Sequence, residues 1–240
     1  MKFKLRSFFF YFGLVPLTVF FSFIGVVILP LPRKLRYSII TKWSKLAIWW
    51  LKISCSLDFE VKGQENIPSQ SGVILCKHQS AWETIALQLI FPRQCQVVKK
   101  ELLLVPFFGW GLACLNPIAI DRGAGPKSLK AVLRGGSHRI KQGWWVLIFP
   151  EGTRVKPGEK GRYTQTGTAL AVQNNCPLVP VAHNAGCFWG KNQLTKKPGT
   201  IKVIVGKPIE LRGKTTKELS QEAEKWIEDA CTTLINEKIV

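Results

Sequence analysis

The segment Lys77–Glu83 holds the side chains of this chain best suited to acid–base chemistry. His78 and Glu83 lie five residues apart and directly follow the apolar run Val73–Cys76, where a buried strand gives way to a loop or helix start. Histidine titrates near neutrality and can take a proton from an attacking hydroxyl, and a carboxylate within reach can fix its tautomer and stabilise the imidazolium. Because such pairs also arise by chance, other segments must decide whether this one is catalytic.

A second candidate segment is Phe149–Arg154, which stands at the end of the apolar run Trp144–Ile148. Proline and glycine bracket a turn there and free backbone N–H groups, while Thr153 and Arg154 offer a hydroxyl and a bidentate guanidinium. Such a turn suits a phosphate. The alternative is an ordinary β-turn in which Glu151 and Arg154 pair with each other or with solvent.

Two further strand ends add cations. The segment Asn116–Arg122 places Arg122 just past an apolar strand, although a solvated pair of Asp121 and Arg122 is an alternative interpretation. Lys99 and its neighbour Lys100 lie at another strand-to-helix junction. Lysines are usually solvated, so only this position makes Lys99 a candidate.

The remaining histidines and Ser80 are weaker candidates for catalysis. We expect His138 to lie on the surface of a basic helix and His183 to be a hydrogen-bonded residue at a strand end. Ser80 lacks the Gly-x-Ser-x-Gly elbow that exposes a nucleophilic serine. Three histidines and seven scattered cysteines without a CxxC pair favour a reducing compartment and argue against a disulfide framework or a metal site.

The elements that must position these groups alternate between strand and helix beyond Asp58. The predicted strands are Leu57–Val61, Gly72–Cys76, Gln94–Val98, Pro117–Ile120, Trp144–Phe149, Leu178–Ala182 and Ile201–Val205. The predicted helices are Trp82–Ile90, Lys127–Gln142, Tyr163–Asn174 and Lys217–Lys238. This order predicts an α/β fold with a central, mostly parallel or mixed sheet of about seven strands, flanked by helices, with ligands outside the strand ends.

The amino-terminal region has the composition of a membrane anchor. No charge occurs between Phe8 and Leu29, a run long enough, at roughly 1.5 Å per helical residue, to cross a hydrocarbon core of about 30 Å. Basic residues at both ends favour neither orientation, so a re-entrant hairpin kinked near Gly13 and Pro16 is our hypothesis. The stretch Leu35–Ser54 is typical of a basic amphipathic helix in the membrane interface, or else of a helix packed on the core.

The charge balance points to an anionic partner. The 240 residues include 34 basic and 15 acidic side chains, a net charge of +19, which suits nucleic acid, anionic lipid or a phosphorylated substrate. No acidic residue precedes Asp58, and basic and apolar residues are interleaved there. This favours lipid, and the lack of a recognition motif argues against nucleic acid. We therefore expect a membrane-associating helical segment at residues 1–55 and one catalytic domain at residues 56–240.

Taken in order, these segments resemble the glycerolipid acyltransferase family, and within it the bacterial 1-acyl-sn-glycerol-3-phosphate acyltransferases. His78 and Glu83 are similar to the H-x4-D motif, with glutamate in place of aspartate, and residues 149–154 match the block F-P-E-G-T-R in full. Arg122 ends a segment that resembles the second block, and Pro177–Val181 resembles the fourth. The added methylene of Glu83 must be absorbed, over roughly 1.5 Å, by its rotamer or loop.

The resemblance implies direct acyl transfer. A lysophosphatidic acid hydroxyl would lose its proton to His78 while attacking the thioester of acyl-CoA or acyl carrier protein, with Glu83 orienting the imidazole. It also implies that the acceptor's phosphate is held by Arg122, Glu151, Gly152, Thr153 and Arg154, with Lys99 a weaker candidate. No cofactor or metal would be needed, and the domain would face the cytoplasm at the bacterial inner membrane. Alternatives are another acceptor, such as a lyso-ornithine lipid or a lysophospholipid, and a non-catalytic lipid-binding protein.

Overall fold

A computed structural model describes residues 2–239, apart from the side chains of Arg122, Lys238 and Ile239. Its centre is a seven-stranded sheet in the order β1-β7-β6-β2-β5-β3-β4. The strands are β1 Leu57–Lys62, β2 Val73–Cys76, β3 Gln94–Lys99, β4 Ile118–Ile120, β5 Trp145–Ile148, β6 Leu178–His183 and β7 Gly199–Val205. All seven predicted strands are confirmed, and their ends shift by no more than two residues.

The sheet is mixed, as the sequence predicts. Strands β6, β2, β5, β3 and β4 run parallel to one another, whereas β7 pairs antiparallel with β6 and parallel with β1. The carboxyl ends of five strands therefore share one edge of the sheet. Parallel sheets bind their ligands at this edge, and the loops that follow β2, β5 and β6 all begin there.

Helices cover both faces of the sheet. They are α1 Lys2–Val27, α2 Arg33–Cys55, α3 Trp82–Ile90, α4 Phe108–Cys114, α5 Pro126–Lys141, α6 Thr166–Asn174 and α7 Thr216–Ile239. The predicted helices are confirmed, but α6 begins three residues later than expected. The N–H of Thr164 donates to the carbonyl of Pro150 at 2.9 Å, so this stretch pairs with the loop after β5 instead of entering the helix.

The buried strand β2 separates two hydrophobic cores. Ile74 and Cys76 pack with α2 and α3 on one face, and Val73 and Leu75 pack with α5, α6 and α7 on the other. Side chains alternate across a pleated strand, so an all-apolar strand contributes to both layers. The loop after β2 thus leaves from the most constrained part of the domain.

The predicted kink near Gly13 and Pro16 is wrong, because α1 runs unbroken through both residues. The chain reverses instead over residues 28–32, where the N–H of Leu31 donates to Ile28 at 2.9 Å. Helix α2 then returns antiparallel to α1. The indole of Trp50 donates to the carbonyl of Phe10 at 3.0 Å, and that of Trp43 donates to the hydroxyl of Thr18 at 3.1 Å.

This helical hairpin is partly packed against the α/β domain. Ala47, Ile48 and Leu51 of α2 lie in the same core as the strands, so α2 follows the core-packed alternative, while its Trp49 and Ile53 stay exposed. Helix α1 is long and apolar enough to cross a membrane, and only 22% of its most apolar window is buried by the rest of the protein. Its uncovered surface is consistent with membrane association.

Candidate active site

His78 and Glu83 form a close pair just beyond β2. The Nδ1 atom of His78 lies 2.8 Å from Oε1 of Glu83, and the carboxylate is fully buried. An ionised carboxylate only accepts hydrogen bonds, so Nδ1 carries the proton, and in a neutral imidazole the lone pair is then on Nε2. Among the described residues, Nε2 of His78 has no hydrogen-bond partner. The ring stacks on Phe149, with centroids 4.0 Å apart.

A hydrogen-bond pattern that resembles half of a capping box explains how a glutamate fits this position. The backbone N–H groups of Gln79 and Ser80 both donate to Oε1 of Glu83, at 2.9 and 2.8 Å, and the hydroxyl of Ser80 accepts the N–H of Trp82 at 3.1 Å. In a capping box, a serine and an acid three residues later satisfy the free amides at a helix start. The longer side chain of Glu83 reaches back to those amides and to His78 with one oxygen.

The surroundings of Glu83 keep it ionised. Burial alone raises the pKa of Glu83, but His183, His78 and the N–H of Ser80 outweigh burial and hold it below its ordinary value. The second oxygen, Oε2, has no hydrogen-bond partner among the described residues and lies 3.9 Å from Nε2 of His183. Among the described residues, only hydrogen bonds to Oε1 therefore fix the orientation of the Glu83 carboxylate.

The backbone of His78 is held by the loop after β5. Its N–H donates to Oε2 of Glu151 at 2.8 Å, and its carbonyl accepts the N–H of Val155 at 2.9 Å. The other oxygen of Glu151 pairs with the buried ammonium of Lys77 at 2.8 Å. Both oxygens of Glu151 are thus engaged within the protein, and its position favours placement of His78 over the expected contact with a phosphate.

Lys77 connects Glu151 in the loop after β5 to Glu228 on α7. Its ammonium also lies 2.6 Å from Glu228, which accepts the hydroxyl of Tyr163 at 2.8 Å. Burial lowers the pKa of Lys77, but the carboxylates of Glu151 and Glu228 outweigh burial and raise it. The lysine therefore keeps its charge inside the domain, next to the residue proposed as the base.

His183 is the second histidine near Glu83, at the end of β6. Its Nε2–H donates to the carbonyl of Lys77 at 2.8 Å, and its Nδ1 accepts the N–H of Ala185 at 3.2 Å. Burial lowers the pKa of His183, against the opposing effect of Glu83. The expectation of a hydrogen-bonded strand-end histidine is confirmed, and so is the exposed place of His138 on α5.

An apolar cavity of about 330 Å³ lies beside the loop after β2, which carries His78. Ala81 and Thr84 line it on the side of α3, residues of α1, α2 and α4 form much of the remaining wall, and Gln96 of β3 and Trp189 also line it. Among the described residues that line this cavity, Arg154 is the only charged one. Arg154 is half-buried and has no ion-pair or hydrogen-bond partner in the described part of the chain, so the interpretation that pairs it with Glu151 is wrong.

Arg154 also faces a second cleft. This basic cleft, about 830 Å³, is lined by Thr153 and Val155 and by Lys156, Lys191 and Lys197, with Glu159 as its acid. The predicted turn is present: the N–H of Gly152 donates to the carbonyl of Phe149 at 3.0 Å, and Gly152 has a positive φ of 65°, which favours glycine. Arg154 thus stands between an apolar and a cationic space.

Lys99 and Arg122 lie further from His78. Strands lie about 4.8 Å apart, so β3 ends about 10 Å, and β4 about 14 Å, from the end of β2. Lys99 is exposed there. Arg122 begins a short 3-10 helix, and its side chain lies outside the described residues. Asp121 pairs with Lys100 at 2.6 Å.

Comparison with known proteins agrees with this architecture. The model of a family described as "Acyltransferase" matches residues 58–184, which includes both the His78 pair and the loop after β5. The chain belongs to the acyltransferase family. An acyltransferase domain therefore spans at least β1 to β6, the strands whose loops form the site.

Two curated relatives and one solved structure are similar to the chain. A 1-acyl-sn-glycerol-3-phosphate acyltransferase of Pseudomonas aeruginosa is 46% identical over 211 residues, covering 87% of this chain and 82% of that protein. One of Bacillus subtilis is 36% identical over 168 residues, covering 66% and 78%. The crystal structure of the LPA acyltransferase PlsC from Thermotoga maritima aligns with a TM-score of 0.79 and 24% identity over 98% of both chains, which confirms the fold.

Sequence reasoning missed the frame that holds the acyltransferase site. Lys77 was visible beside His78, but its partner Glu228 is 151 residues away on α7, and no local pattern connects the two. The capping box was readable in the sequence as serine, two residues and glutamate, Ser80 to Glu83. That signal explains the glutamate without any appeal to a flexible loop.

Proposed function

We propose that this acyltransferase moves a fatty acyl chain from a thioester to the sn-2 hydroxyl of 1-acyl-glycerol-3-phosphate, which yields phosphatidic acid for phospholipid biosynthesis. The names of the Pseudomonas and Bacillus relatives support this acceptor. The donor is acyl-CoA or acyl carrier protein, and no cofactor takes part. The protein works at the bacterial inner membrane with its catalytic domain on the cytoplasmic side.

The observation that carries the proposal is the unpartnered Nε2 of His78. Glu83 fixes the opposite ring nitrogen at 2.8 Å, and a buried backbone frame holds the residue from both its N–H and its carbonyl. A base that is fixed in tautomer and direction is suited to one proton transfer in one place.

The proposed reaction uses this geometry. Nε2 of His78 takes the proton of the acceptor hydroxyl as its oxygen attacks the thioester carbonyl carbon. The imidazolium that forms is stabilised by Glu83. When the tetrahedral intermediate collapses, the C–O ester bond remains, the C–S bond breaks, and the departing thiolate takes the proton from Nε2. No acyl-enzyme is formed, and the free base is restored.

The two spaces beside His78 suit the two ends of a lysolipid. The apolar cavity between α1, α3 and α4 suits an acyl chain, and Arg154 at its edge suits a phosphomonoester because guanidinium groups bind phosphate in a bidentate manner. Thr153 and the amide of Gly152 lie in the same turn and remain candidates for that phosphate. Arg122 and Lys99 are candidates at the periphery, whereas Glu151 acts as a positioning residue.

The acceptor assay tests the proposal. Membrane-reconstituted protein is given lysophosphatidic acid with acyl-CoA or with acyl carrier protein, and phosphatidic acid is measured. Lysophosphatidylcholine and a lyso-ornithine lipid, which lack the phosphomonoester, serve as comparison acceptors. We expect turnover with the phosphomonoester alone. Equal turnover with the other acceptors would contradict the proposed substrate, and no thioester-dependent release of thiol would identify a non-catalytic lipid-binding protein.

A pair of variants separates phosphate binding from placement of the base. Arg154→Ala should raise the KM for lysophosphatidic acid by about 10- to 100-fold, the value of a charged hydrogen bond of about 1.5–3 kcal/mol. Glu151→Gln should instead lower kcat and leave that KM unchanged, since Glu151 touches His78 and not the cavity. An unchanged KM in Arg154→Ala would count against the phosphate assignment.

A further inference from the structure

A second apolar surface lies outside the amino-terminal hairpin, on the segment between β3 and α4. Leu104 is 80% exposed, the highest value among the large exposed hydrophobic side chains. Its neighbours Val105, Phe107, Phe108 and Trp110 are also exposed. We call these five residues the apolar lip. A contiguous apolar patch of this kind marks a contact with a membrane or another protein.

The backbone of the segment keeps these side chains outward. Residues 100–104 form a 3-10 helix, and a tight turn follows in which the N–H of Phe108 donates to the carbonyl of Pro106 at 2.7 Å. Phe107, at its centre, has φ 63° and ψ −63°, the rare γ-turn conformation that is strained for a bulky residue. The fold accepts this strain and leaves two phenylalanines on the surface.

The lip continues the uncovered surface of α1. The ring of Phe23 on α1 lies 5.9 Å from that of Phe107 and 6.3 Å from that of Trp110. Beneath them, the thiol of Cys114 on α4 donates to the carbonyl of Gly25 at 3.4 Å. A partner that covers the outer face of α1 therefore meets the lip as well.

We propose that the apolar lip inserts into the lipid bilayer beside α1, which makes the β3–α4 segment a second membrane-contacting element. The lip is continuous with a helix of membrane-like length and hydropathy. Tryptophan is enriched at membrane interfaces, and the segment supplies Trp110. Insertion of the lip does not depend on the proposed function; only its consequence for the route of the acceptor rests on that function.

That consequence concerns how a lysolipid reaches the cavity. Phe108 is part of the lip and also lines the apolar cavity, together with Gly111 and Leu112 of α4 and Phe21 of α1. With the lip inserted, the wall of the cavity is in contact with the acyl-chain region of the bilayer. The acceptor then moves from the membrane into the cavity without passing through water.

The test reads the surroundings of residue 104 directly. The environment-sensitive fluorophore NBD is attached at Leu104→Cys in a full-length chain that carries Cys187→Ser, since the other cysteines are buried. The protein is bound to vesicles of phosphatidylcholine and phosphatidylglycerol, with and without nitroxide-labelled phosphatidylcholine. Phe12→Cys on the exposed face of α1 is the reference position, and Val172→Cys on α6, across the sheet, is the matched exposed control.

We expect blue-shifted emission and nitroxide quenching at position 104, and neither at position 172. Emission at 104 like that at 172 would overturn the proposal, as would a blue shift without quenching, which would indicate a protein partner or a second copy. A label at Val105→Cys gives a second reading if the first disturbs the turn. Quenching at 104 is independent of turnover, so loss of the proposed acceptor activity would leave this result interpretable.

Discussion

Two histidines approach the same carboxylate, and their surroundings differ. Nδ1 of His78 lies 2.8 Å from Oε1 of Glu83, and Nε2 has no partner among the described residues. His183 lies 3.9 Å from Oε2 and has both ring nitrogens bonded to backbone groups. The ring of His183 is fully buried, and that of His78 is 9% exposed. Proximity to an acid alone therefore does not suit a histidine to act as a base, which also needs an available lone pair and access to the substrate.

The difference has its origin in the strands that carry the two residues. His183 is the last residue of β6, so its ring lies under the end of the neighbouring strand. There it donates to the carbonyl of Lys77 and accepts the N–H of Ala185. His78 lies two residues past β2, where the loop has left the sheet. His183 is thus part of the hydrogen-bonded structure around the site, whereas His78 is held in place by that structure.

Removal of the proposed base should have the largest effect. His78→Ala should lower kcat by at least about 10²- to 10⁴-fold, the range for a positioned base. Steady-state assays on vesicles measure this loss, and flotation with the same vesicles is the control, because α1 and α2 are untouched and binding should persist. Activity within tenfold of the wild type would break the comparison.

Changes at the shared carboxylate should have intermediate effects. Glu83→Gln keeps an acceptor for the capping amides but loses the charge that stabilises the imidazolium, and should lower kcat by about 10²-fold. Glu83→Asp draws the acid back by about 1.5 Å and should lower kcat by about tenfold, since ångström-scale misplacement is costly. A many-fold rise in turnover with aspartate would instead identify the natural chain as an impaired enzyme.

The smallest effect on turnover should come from the other histidine. His183→Asn leaves the carbonyl of Lys77 and the N–H of Ala185 poorly satisfied, which should cost about 1–3 kcal/mol of unfolding free energy. The loss of kcat should stay below the roughly 10²-fold expected for a removed base. Denaturant unfolding measures the first quantity. A kcat as low as that of His78→Ala would make His183 part of the chemistry.

Features that depend on neighbouring residues in the chain could be predicted from the sequence, whereas features that depend on packing between distant segments could not. The strands, and the placement of the His78 and Arg154 segments at strand ends, follow from apolar runs and turn residues. The reversal of the hairpin at residues 28–32 was signalled by Pro30 and Pro32, although Gly13 and Pro16 were the residues we expected to bend the chain. The role of Glu151 required the position of Lys77, which depends on packing between distant segments.

The exposure of the apolar lip could not be predicted from the sequence either. The run from Leu102 to Trp110 is apolar enough to be a buried strand or helix, and sequence patterning does not say which apolar residues the fold leaves uncovered. In the folded chain, Phe107 and Trp110 lie against Phe23 of α1 and stay exposed. The side chains that we propose for contact with the substrate and the membrane are thus set by tertiary contacts between regular elements.

A double-mutant cycle on kcat tests the central claim most directly. If Glu83 acts through His78, then His78→Ala combined with Glu83→Gln should be no slower than His78→Ala alone, because residues that work as a unit are not additive. Multiplied losses in the His78–Glu83 cycle would contradict the account.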